Sequence, residues 1–252
     1  MSAVAKRFVC QAAVALLSLT LVVAVVVGVT EPGQAQEPAL SLVVSEGGTV
    51  MMPAPKDAVV LCDGKDTAQW VKQGTDEPIA WKLVDGAMEV NGGNITTKQQ
   101  FTDFQLHLEF NVPLMPNAQG QARGNSGVYM QGSYEIQVLD SYGLKLGLGD
   151  CGAIYGVSVP MVNACKPPGE WQTFDVLFHA PQFDANGNKT ANARMSVLQN
   201  GIWTQDNVEV PGPTTAAMER DVTKPGPLML QDHGCPVRYR NTWLRPLGPA
   251  EP

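Results

Sequence analysis

The chain has 252 residues, and 44% of them are hydrophobic, which is enough to form a sizeable core. Its 17 basic and 24 acidic residues give a formal net charge of −7 at pH 7, and the basic residues form no stripe. This charge pattern excludes nucleic acid as an expected partner and leaves neutral ligands as the better match.

The N-terminus has the pattern of a secretory signal peptide. Lys6 and Arg7 form a short basic region, which an apolar run over residues 8–29 follows. Small residues then precede a signal-peptidase site near Ala35–Gln36. We therefore expect residues 1–35 to be a signal peptide and the protein to be exported, to the periplasm or the extracellular space. Because the apolar run is about long enough to cross a bilayer, an uncleaved anchor is the alternative and the only membrane contact expected.

From residue 58 to 248, short alternating runs separated by turn residues predict one all-β domain. Residues 36–57 show no clear period, and we interpret them as a linker. Asp85-Gly86 and Asn200-Gly201 are dipeptides typical of tight hairpins, and residues 104–111 alternate between apolar and polar side chains. Helical periodicity is nearly absent, so the pattern favours a β-sandwich or jelly roll.

The four cysteines that follow the signal peptide are an even number, which in an exported chain favours two disulfides. Three pairings are open. We favour Cys151–Cys165, which closes a short loop, and Cys62–Cys235, which joins the first strand to the last. A zinc site is disfavoured because the chain has no CxxC pair and only three histidines.

The stretch GNSGVYMQGSYEIQVLDSYG, residues 124–143, predicts a hairpin with its turn at Gly132-Ser133. Side chains two residues apart share a face of a strand. Glu135 and Gln137 therefore face away from an apolar set formed by Tyr134, Ile136 and Val138. On the partner strand, Tyr129 and Gln131 are expected beside Glu135 and Gln137. A ring, amides and an acid on one surface suit a sugar, although a solvated outer face is the alternative.

Further polar residues occur elsewhere in the predicted domain. His107 and Glu109 share one face of a strand, where a surface ion pair is the alternative. His233 follows Gln231 in the stretch LQDHGCP. A hard-cation site of one histidine with carboxylates also stays open.

Several stretches in this order resemble the 3-keto-disaccharide hydrolase domain family: LCDGKDTAQW, FTDFQLHLEF, the hairpin above, CGAIYG, PPGEWQTFDVLFHAPQF, ARMSVLQNG and LQDHGCPVRYRNTWLRPL. The resemblance covers about residues 58–247 and implies a concanavalin-like jelly roll of the lectin and glucanase type. Cys62 stands where the family usually has Phe, and Cys235 where a small polar residue is usual, a paired departure that supports their pairing. Gln131 stands where members often have Arg.

The resemblance implies cleavage of glycosides that are oxidised at carbon 3, with an oligosaccharide or glycoside as the substrate. A base removes the proton on carbon 2, the enolate expels the glycosidic oxygen from carbon 1, and water then adds. A retaining glycosidase would instead need two carboxyls about 5 Å apart, and the hairpin strand has only one acid, Glu135. The enolate could be held by a divalent cation or by hydrogen bonds, and the sequence leaves both open.

On this implied chemistry Glu135 is the base or a metal ligand, and Gln137 orients a sugar hydroxyl. His233 is the acid/base partner or a second ligand, and Glu109 is a further catalytic candidate. The substrate-binding candidates are Asn125, Tyr129, Gln131, Gln137, His107 and Gln231. Two alternatives share this fold: a carbohydrate-binding module without catalysis, and a structural envelope protein.

Overall fold

The computed structural model describes residues 50–248, and within them the chain is all-β, with one 3-10 turn at Gly120–Ala122. The signal-peptide prediction and most of the linker prediction lie outside the described residues. The strands are β1 (Val59–Cys62), β2 (Trp70–Lys72), β3 (Lys82–Val84), β4 (Ala87–Glu89), β5 (Ile95–Thr97), β6 (Phe104–Asn111), β7 (Ser126–Met130), β8 (Tyr134–Val138), β9 (Gln172–His179), β10 (Gln182–Phe183), β11 (Lys189–Ala191), β12 (Ala193–Gln199), β13 (Ile202–Val210), β14 (Met229–Leu230) and β15 (Arg238–Pro246). Among these residues, no helix has the length and apolar character needed to cross a membrane.

Two antiparallel sheets form the sandwich. The larger sheet has eight strands in the order β13-β12-β9-β6-β15-β4-β3, and β1 also pairs with β15. The smaller sheet has five strands in the order β2-β5-β14-β7-β8, and β10 and β11 form a separate two-stranded ribbon. The architecture is the predicted concanavalin-like jelly-roll sandwich, in which neighbours within a sheet come from distant parts of the chain.

Apolar side chains of both sheets form one core. The predicted alternation of β6 is confirmed, since Phe104, Leu106, Leu108 and Phe110 are all fully buried in this core. Phe110 packs on Phe174 of the neighbouring strand with ring centroids 4.6 Å apart. One face of each long strand therefore supplies the hydrophobic burial that holds the sheets together.

The hairpin turns follow the predicted dipeptides, with one shift. Asp85-Gly86 and Asn200-Gly201 both have positive φ at each residue, as a tight two-residue turn requires. In the central hairpin the two positive-φ residues are Gln131 (51°) and Gly132 (64°), one position before the predicted turn. Gln131 thus leaves the strand, and its amide donates to the Phe101 carbonyl at 2.9 Å.

The described cysteines are free thiols in the structure. The Gln199 amide nitrogen is 3.5 Å from the Cys151 sulfur and 3.4 Å from the Cys165 sulfur. The two thiols therefore lie side by side. The disulfide between them stays a prediction, and the adjacent sulfurs are compatible with it.

The other predicted pair has no shared contact. The Cys62 thiol lies beside the Met88 backbone, whereas the Cys235 thiol donates to the Ala122 carbonyl at 3.6 Å. The Cys62–Cys235 pairing therefore stays a prediction without support from this geometry.

Candidate functional site

The central hairpin presents a polar face that is turned away from the core. Its register places Tyr129 opposite Glu135 and Gly127 opposite Gln137. On the other side of β7, the Gln231 N–H donates to the Gly127 carbonyl at 2.9 Å. The two strands of the hairpin and the residue that follows β14, which is distant from them in sequence, thereby place their polar side chains on one surface.

A pocket lies over this face. It encloses about 330 Å³ of space, its open mouth included. The lining residues are Gln121, Asn125, Tyr129, Glu135, Gln137, Tyr155, Thr215, Ala216, Gln231 and His233. The lining is rich in amide and hydroxyl groups, as a site for a neutral polar ligand needs.

Glu135 is the only carboxylate that lines this pocket. The residue is 3% exposed, and the loss of water on burial raises the pKa of its carboxyl group to about 7, although the nearby Tyr129 hydroxyl lowers it in part. At neutral pH this carboxyl group can therefore both accept and release a proton, which is what a general base needs.

Gly127 makes the room for this carboxylate. An alanine methyl group at that position would overlap the Glu135 carboxylate and lie 2.8 Å from the Tyr129 ring. The missing side chain on β7 thus lets the Glu135 side chain lie flat across the neighbouring strand.

Tyr129 joins two walls of the pocket. Its hydroxyl donates to the Thr215 carbonyl at 3.1 Å and accepts a hydrogen bond from the Gln231 amide at 3.1 Å. Burial and the neighbouring Glu135 charge raise the pKa of Tyr129, so the hydroxyl stays protonated and serves as a neutral hydrogen-bonding group.

A network of amides lines the opposite side. The Asn125 amide donates to the backbone and side-chain oxygens of Gln121 at 2.7 and 3.0 Å, which leaves its own buried oxygen without a partner among the described residues. The Gln137 and Gln121 amides are 2.8 Å apart. When the Gln137 amide is rotated by 180°, its NH2 group donates to the Glu135 carboxylate at 3.2 Å. The carboxylate therefore lies beside hydrogen-bond donors and not beside a second charge.

Two loops complete the walls through the backbone of Glu135. Its carbonyl accepts from the Tyr155 N–H at 3.1 Å, and its N–H donates to the Thr214 hydroxyl at 3.0 Å. The first contact covers the outer edge of β8 and places Tyr155 at the pocket. The second places Thr215 and Ala216 there.

His233 lies at the mouth of the pocket on a turn that follows β14. The turn is fixed by Asp232, whose carboxylate accepts from the N–H groups of Gly93 and Gly234, both at 2.8 Å. The His233 side chain is exposed and so can exchange protons with solvent while it faces a bound ligand.

The structure brings six predicted site residues into the pocket: Asn125, Tyr129, Glu135, Gln137, Gln231 and His233. Sequence reasoning missed the other four. Tyr155 lies in the stretch CGAIYG, which already counted toward the family resemblance, whereas Gln121, Thr215 and Ala216 lie in loops without a pattern that points to a site.

Three predicted residues lie elsewhere, which corrects the expectation that they share the groove. Gln131 lies in the hairpin turn, because two left-handed residues are needed there. Glu109 and His107 lie on the outer face of β6, in the larger sheet. Both are fully buried, so they form neither part of the pocket nor a surface ion pair.

Glu109 and His107 belong to a closed polar network. The Glu109 carboxylate accepts from Arg240 at 2.7 Å and Asn241 at 2.9 Å, and also from the Met51 N–H. The His107 Nδ1 atom is 2.6 Å from the Asp175 carboxylate. Burial alone would raise the pKa of Glu109, but hydrogen bonds from His107, Asn241, Met51 and Arg240 lower it to about 2. These groups stabilise the sheet and have no free surface for a ligand.

Typical metal-ligating side chains are few in the pocket. Within residues 50–248, no group of three His, Cys, Asp or Glu side chains could hold a metal ion. Among the described residues, Glu135 and His233 are the two such residues in the pocket lining. The divalent cation that the sequence left open stays a prediction, since the amide oxygens of the lining are also groups that hard cations accept as ligands.

Comparisons with known proteins agree with the fold. A family model for the 3-keto-alpha-glucoside-1,2-lyase-like domain matches residues 57–245. The crystal structure of a proposed glycosyl hydrolase from Parabacteroides distasonis ATCC 8503 is 38% identical, with a TM-score of 0.72, and the match covers 85% of this chain and 94% of that chain. No curated protein matches the chain.

A second crystal structure of a proposed glycosyl hydrolase from the same organism is 22% identical, with a TM-score of 0.56, over 76% of this chain and 94% of that one. A third is 23% identical, with a TM-score of 0.52, over 75% of this chain and 99% of that one. At this level of identity, both similarities show the fold alone.

Proposed function

Because the chain belongs to the family of 3-keto-alpha-glucoside-1,2-lyase-like domains, which act on carbohydrates, we propose that it cleaves the glycosidic bond of 3-keto-glycosides. The observation that carries the proposal is a lone buried carboxylate, Glu135, in a pocket otherwise lined by neutral groups and His233. Hydrolysis through a glycosyl-enzyme intermediate needs two carboxyls about 5 Å apart, and elimination next to a ketone needs one base.

Glu135 removes the proton on carbon 2, which the ketone at carbon 3 acidifies. The electron pair of that C–H bond moves toward carbon 3 and places negative charge on the ketone oxygen. Amide and hydroxyl donors that line the pocket, among them Gln231 and Tyr155, stabilise this enolate oxygen. A base with a pKa near the working pH is the most effective for this step.

The enolate then reforms the ketone, and its electron pair forms a double bond between carbons 1 and 2 as the glycosidic oxygen leaves. His233 donates the proton that the leaving oxygen needs. Water adds to carbon 1 of the unsaturated ketone and gives one proton back to His233, and Glu135 returns its proton to carbon 2. The net reaction is hydrolysis, and both side chains end in their starting states.

The experiment is to incubate the protein with 3-keto-trehalose and to follow the products by mass spectrometry. We expect release of the sugar leaving group, with a transient 3-keto-glycal. The Glu135→Gln variant should lose about 100- to 10,000-fold in kcat, the usual range for a general base, while Glu170→Gln, which changes an exposed carboxylate outside the pocket, keeps the rate of the wild-type protein. Binding without any product would instead indicate a carbohydrate-binding module, and a wild-type rate in Glu135→Gln would remove Glu135 from catalysis.

We also propose that the protein acts outside the cytoplasm. The support is the basic and then apolar pattern of residues 1–35, together with an even number of cysteines after it. On this proposal residues 36–57 connect the signal peptide to the catalytic domain at residues 58–248.

A further inference from the structure

The exposed apolar side chains of the molecule are concentrated in one area. Of the twelve large hydrophobic residues that are exposed among residues 50–248, nine lie in three segments: residues 142–148, 157–162 and 202–203. We call this set the apolar rim: Tyr142, Leu144, Leu148, Val157, Val159, Met161, Val162, Ile202 and Trp203. Each side chain is between 36 and 58% exposed.

Hydrogen bonds join the three segments into one surface. The Gly156 N–H donates to the Leu148 carbonyl, and the Asn163 amide donates to the Leu144 carbonyl, both at 2.9 Å. The Met161 N–H donates to the Thr204 carbonyl at 2.9 Å, next to Trp203. Lys145 is the one charged residue within the three segments. Nine exposed apolar side chains on segments that are hydrogen-bonded to one another form a candidate binding region, since such concentrations are uncommon on soluble proteins.

The apolar rim begins at the wall of the pocket. Leu148 precedes Gly149, whose carbonyl accepts from the pocket residue Gln121 at 2.8 Å. Val157 follows two residues after Tyr155, which also lines the pocket. Leu148 and Val157 therefore lie within two residues of groups that line the pocket or bond to its lining.

The pocket and the rim differ in chemistry. The pocket is open at its mouth, and its amide, hydroxyl and carboxyl groups suit a sugar ring with its hydroxyl groups. Whatever is attached to carbon 1 of that ring has to lie outside. A second sugar there would need hydrogen-bonding partners or flat rings to stack on, whereas seven of the nine rim side chains are Leu, Val, Met or Ile, which match an alkyl chain.

We propose that the apolar rim binds the leaving group of the substrate and that this group is an extended apolar aglycone, such as an alkyl chain. The reaction on such a ligand rests on the proposed function, but the binding does not, because it needs only the sugar ring in the pocket. Each methylene group that is buried on the rim is expected to strengthen binding roughly fourfold.

The first experiment uses unoxidised ligands, so that the proposed chemistry is not involved. The full chain is titrated by calorimetry with methyl, octyl and maltosyl glucosides, below the micelle concentration of the octyl compound. We expect octyl glucoside to bind about 10- to 100-fold more tightly than the other two. Equal affinities for the three ligands, tighter binding of the maltosyl compound, or no detectable binding of octyl glucoside would overturn the proposal.

Substitutions locate the effect. The double variant Leu148→Ser and Val157→Ser should lower the affinity for octyl glucoside to that for methyl glucoside. Because both side chains are exposed, the fold is expected to tolerate the changes. Val60→Ser is the matched control, since Val60 is 43% exposed on β1, outside the apolar rim. An octyl preference that survives the double variant, or sedimentation showing that the rim is covered by a second copy of the chain, would contradict the assignment.

Measuring the cleavage of 3-keto-glucosides distinguishes a failure of this proposal from a failure of the proposed function. If 3-keto-octyl glucoside is not cleaved but octyl glucoside still binds selectively through Leu148 and Val157, the function fails and the apolar rim stands. If 3-keto-methyl and 3-keto-octyl glucosides are cleaved with equal kcat/KM, the function stands and the assignment of the rim fails.

Discussion

Glu135 has a proposed role as the general base, and its burial also affects the stability of the fold. Its carboxyl group is buried on β8, and the loss of water there disfavours the ionised form. The position was identifiable from alternation, because Glu135 and Gln137 interrupt an otherwise apolar strand on one face only. What the alternation could not reveal is Gly127, whose missing side chain decides where the carboxylate lies.

The pKa of Glu135 makes a prediction about stability. The pKa is raised in the folded protein, so the folded state holds this proton more firmly than the unfolded chain, and stability falls as pH rises from about 4.5 to about 7. Glu135→Gln should therefore increase the free energy of unfolding at pH 8 by up to about 3 kcal/mol. At pH 4 the variant and the wild-type protein should be equal, as urea denaturation at the two pH values would show. If Glu135→Gln instead lowers the free energy of unfolding at pH 8, the ionised Glu135 carboxylate does not destabilise the fold.

At the scale of the element, β6 shows what periodicity predicts and what it leaves open. The strand alternates as expected, and its apolar face is the core face. The polar face was expected in a groove or in water, but Met51, Arg240 and Asn241 cover it and bond to Glu109. Alternation assigns side chains to a face, and the burial of that face depends on what packs over it from elsewhere in the chain.

Substitution of Glu109 therefore distinguishes a structural role of this residue from a catalytic one. Its pKa is lowered to about 2 in the folded protein, so its contribution to stability is present above about pH 4.5 and is lost as pH falls toward 2. We expect Glu109→Gln to destabilise the fold by about 3 kcal/mol at pH 7, and by progressively less below pH 4.5, in denaturant titrations. The kcat on a 3-keto-glycoside, measured well below the melting temperature, should stay within about twofold of the wild-type value, since general-base losses are far larger. A stable but inactive variant would return Glu109 to the catalytic candidates.

For the whole molecule, strand content was easier to predict than strand order. The turn dipeptides mark where strands end, but β14 has only two residues, and its place between β5 and β7 brings Gln231 next to Gly127. No local pattern contains that pairing, because it joins positions about a hundred residues apart. The convergence of Gln231 and His233 with Glu135 followed from the family resemblance and not from periodicity.

For the whole molecule, export of the protein and oxidation of its cysteines are predicted together. Cys151 and Cys165 share the Gln199 amide, and contact with Cys151 lowers the pKa of the Cys165 thiol, which favours the thiolate that attacks a disulfide donor. In protein recovered from the exported fraction, we expect the two thiols to give up two electrons and two protons to such a donor and to form a disulfide. Non-reducing peptide mapping should find the Cys151–Cys165 link, and the same map reports whether Cys62 and Cys235 are joined.

The Cys151–Cys165 disulfide would both link two segments covalently and stabilise the fold. The disulfide would join the segment that carries Tyr155 and the Gly149 carbonyl, one wall of the pocket, to the loop before β9. Closing a loop of this length stabilises a fold by about 3 kcal/mol in the chain-entropy model, so reductant should lower the melting temperature of the wild-type protein and leave the Cys151→Ser, Cys165→Ser double variant unchanged. If peptide mapping finds free thiols at all four positions in exported protein, the oxidised state fails, and with it the evidence that the cysteines give for export.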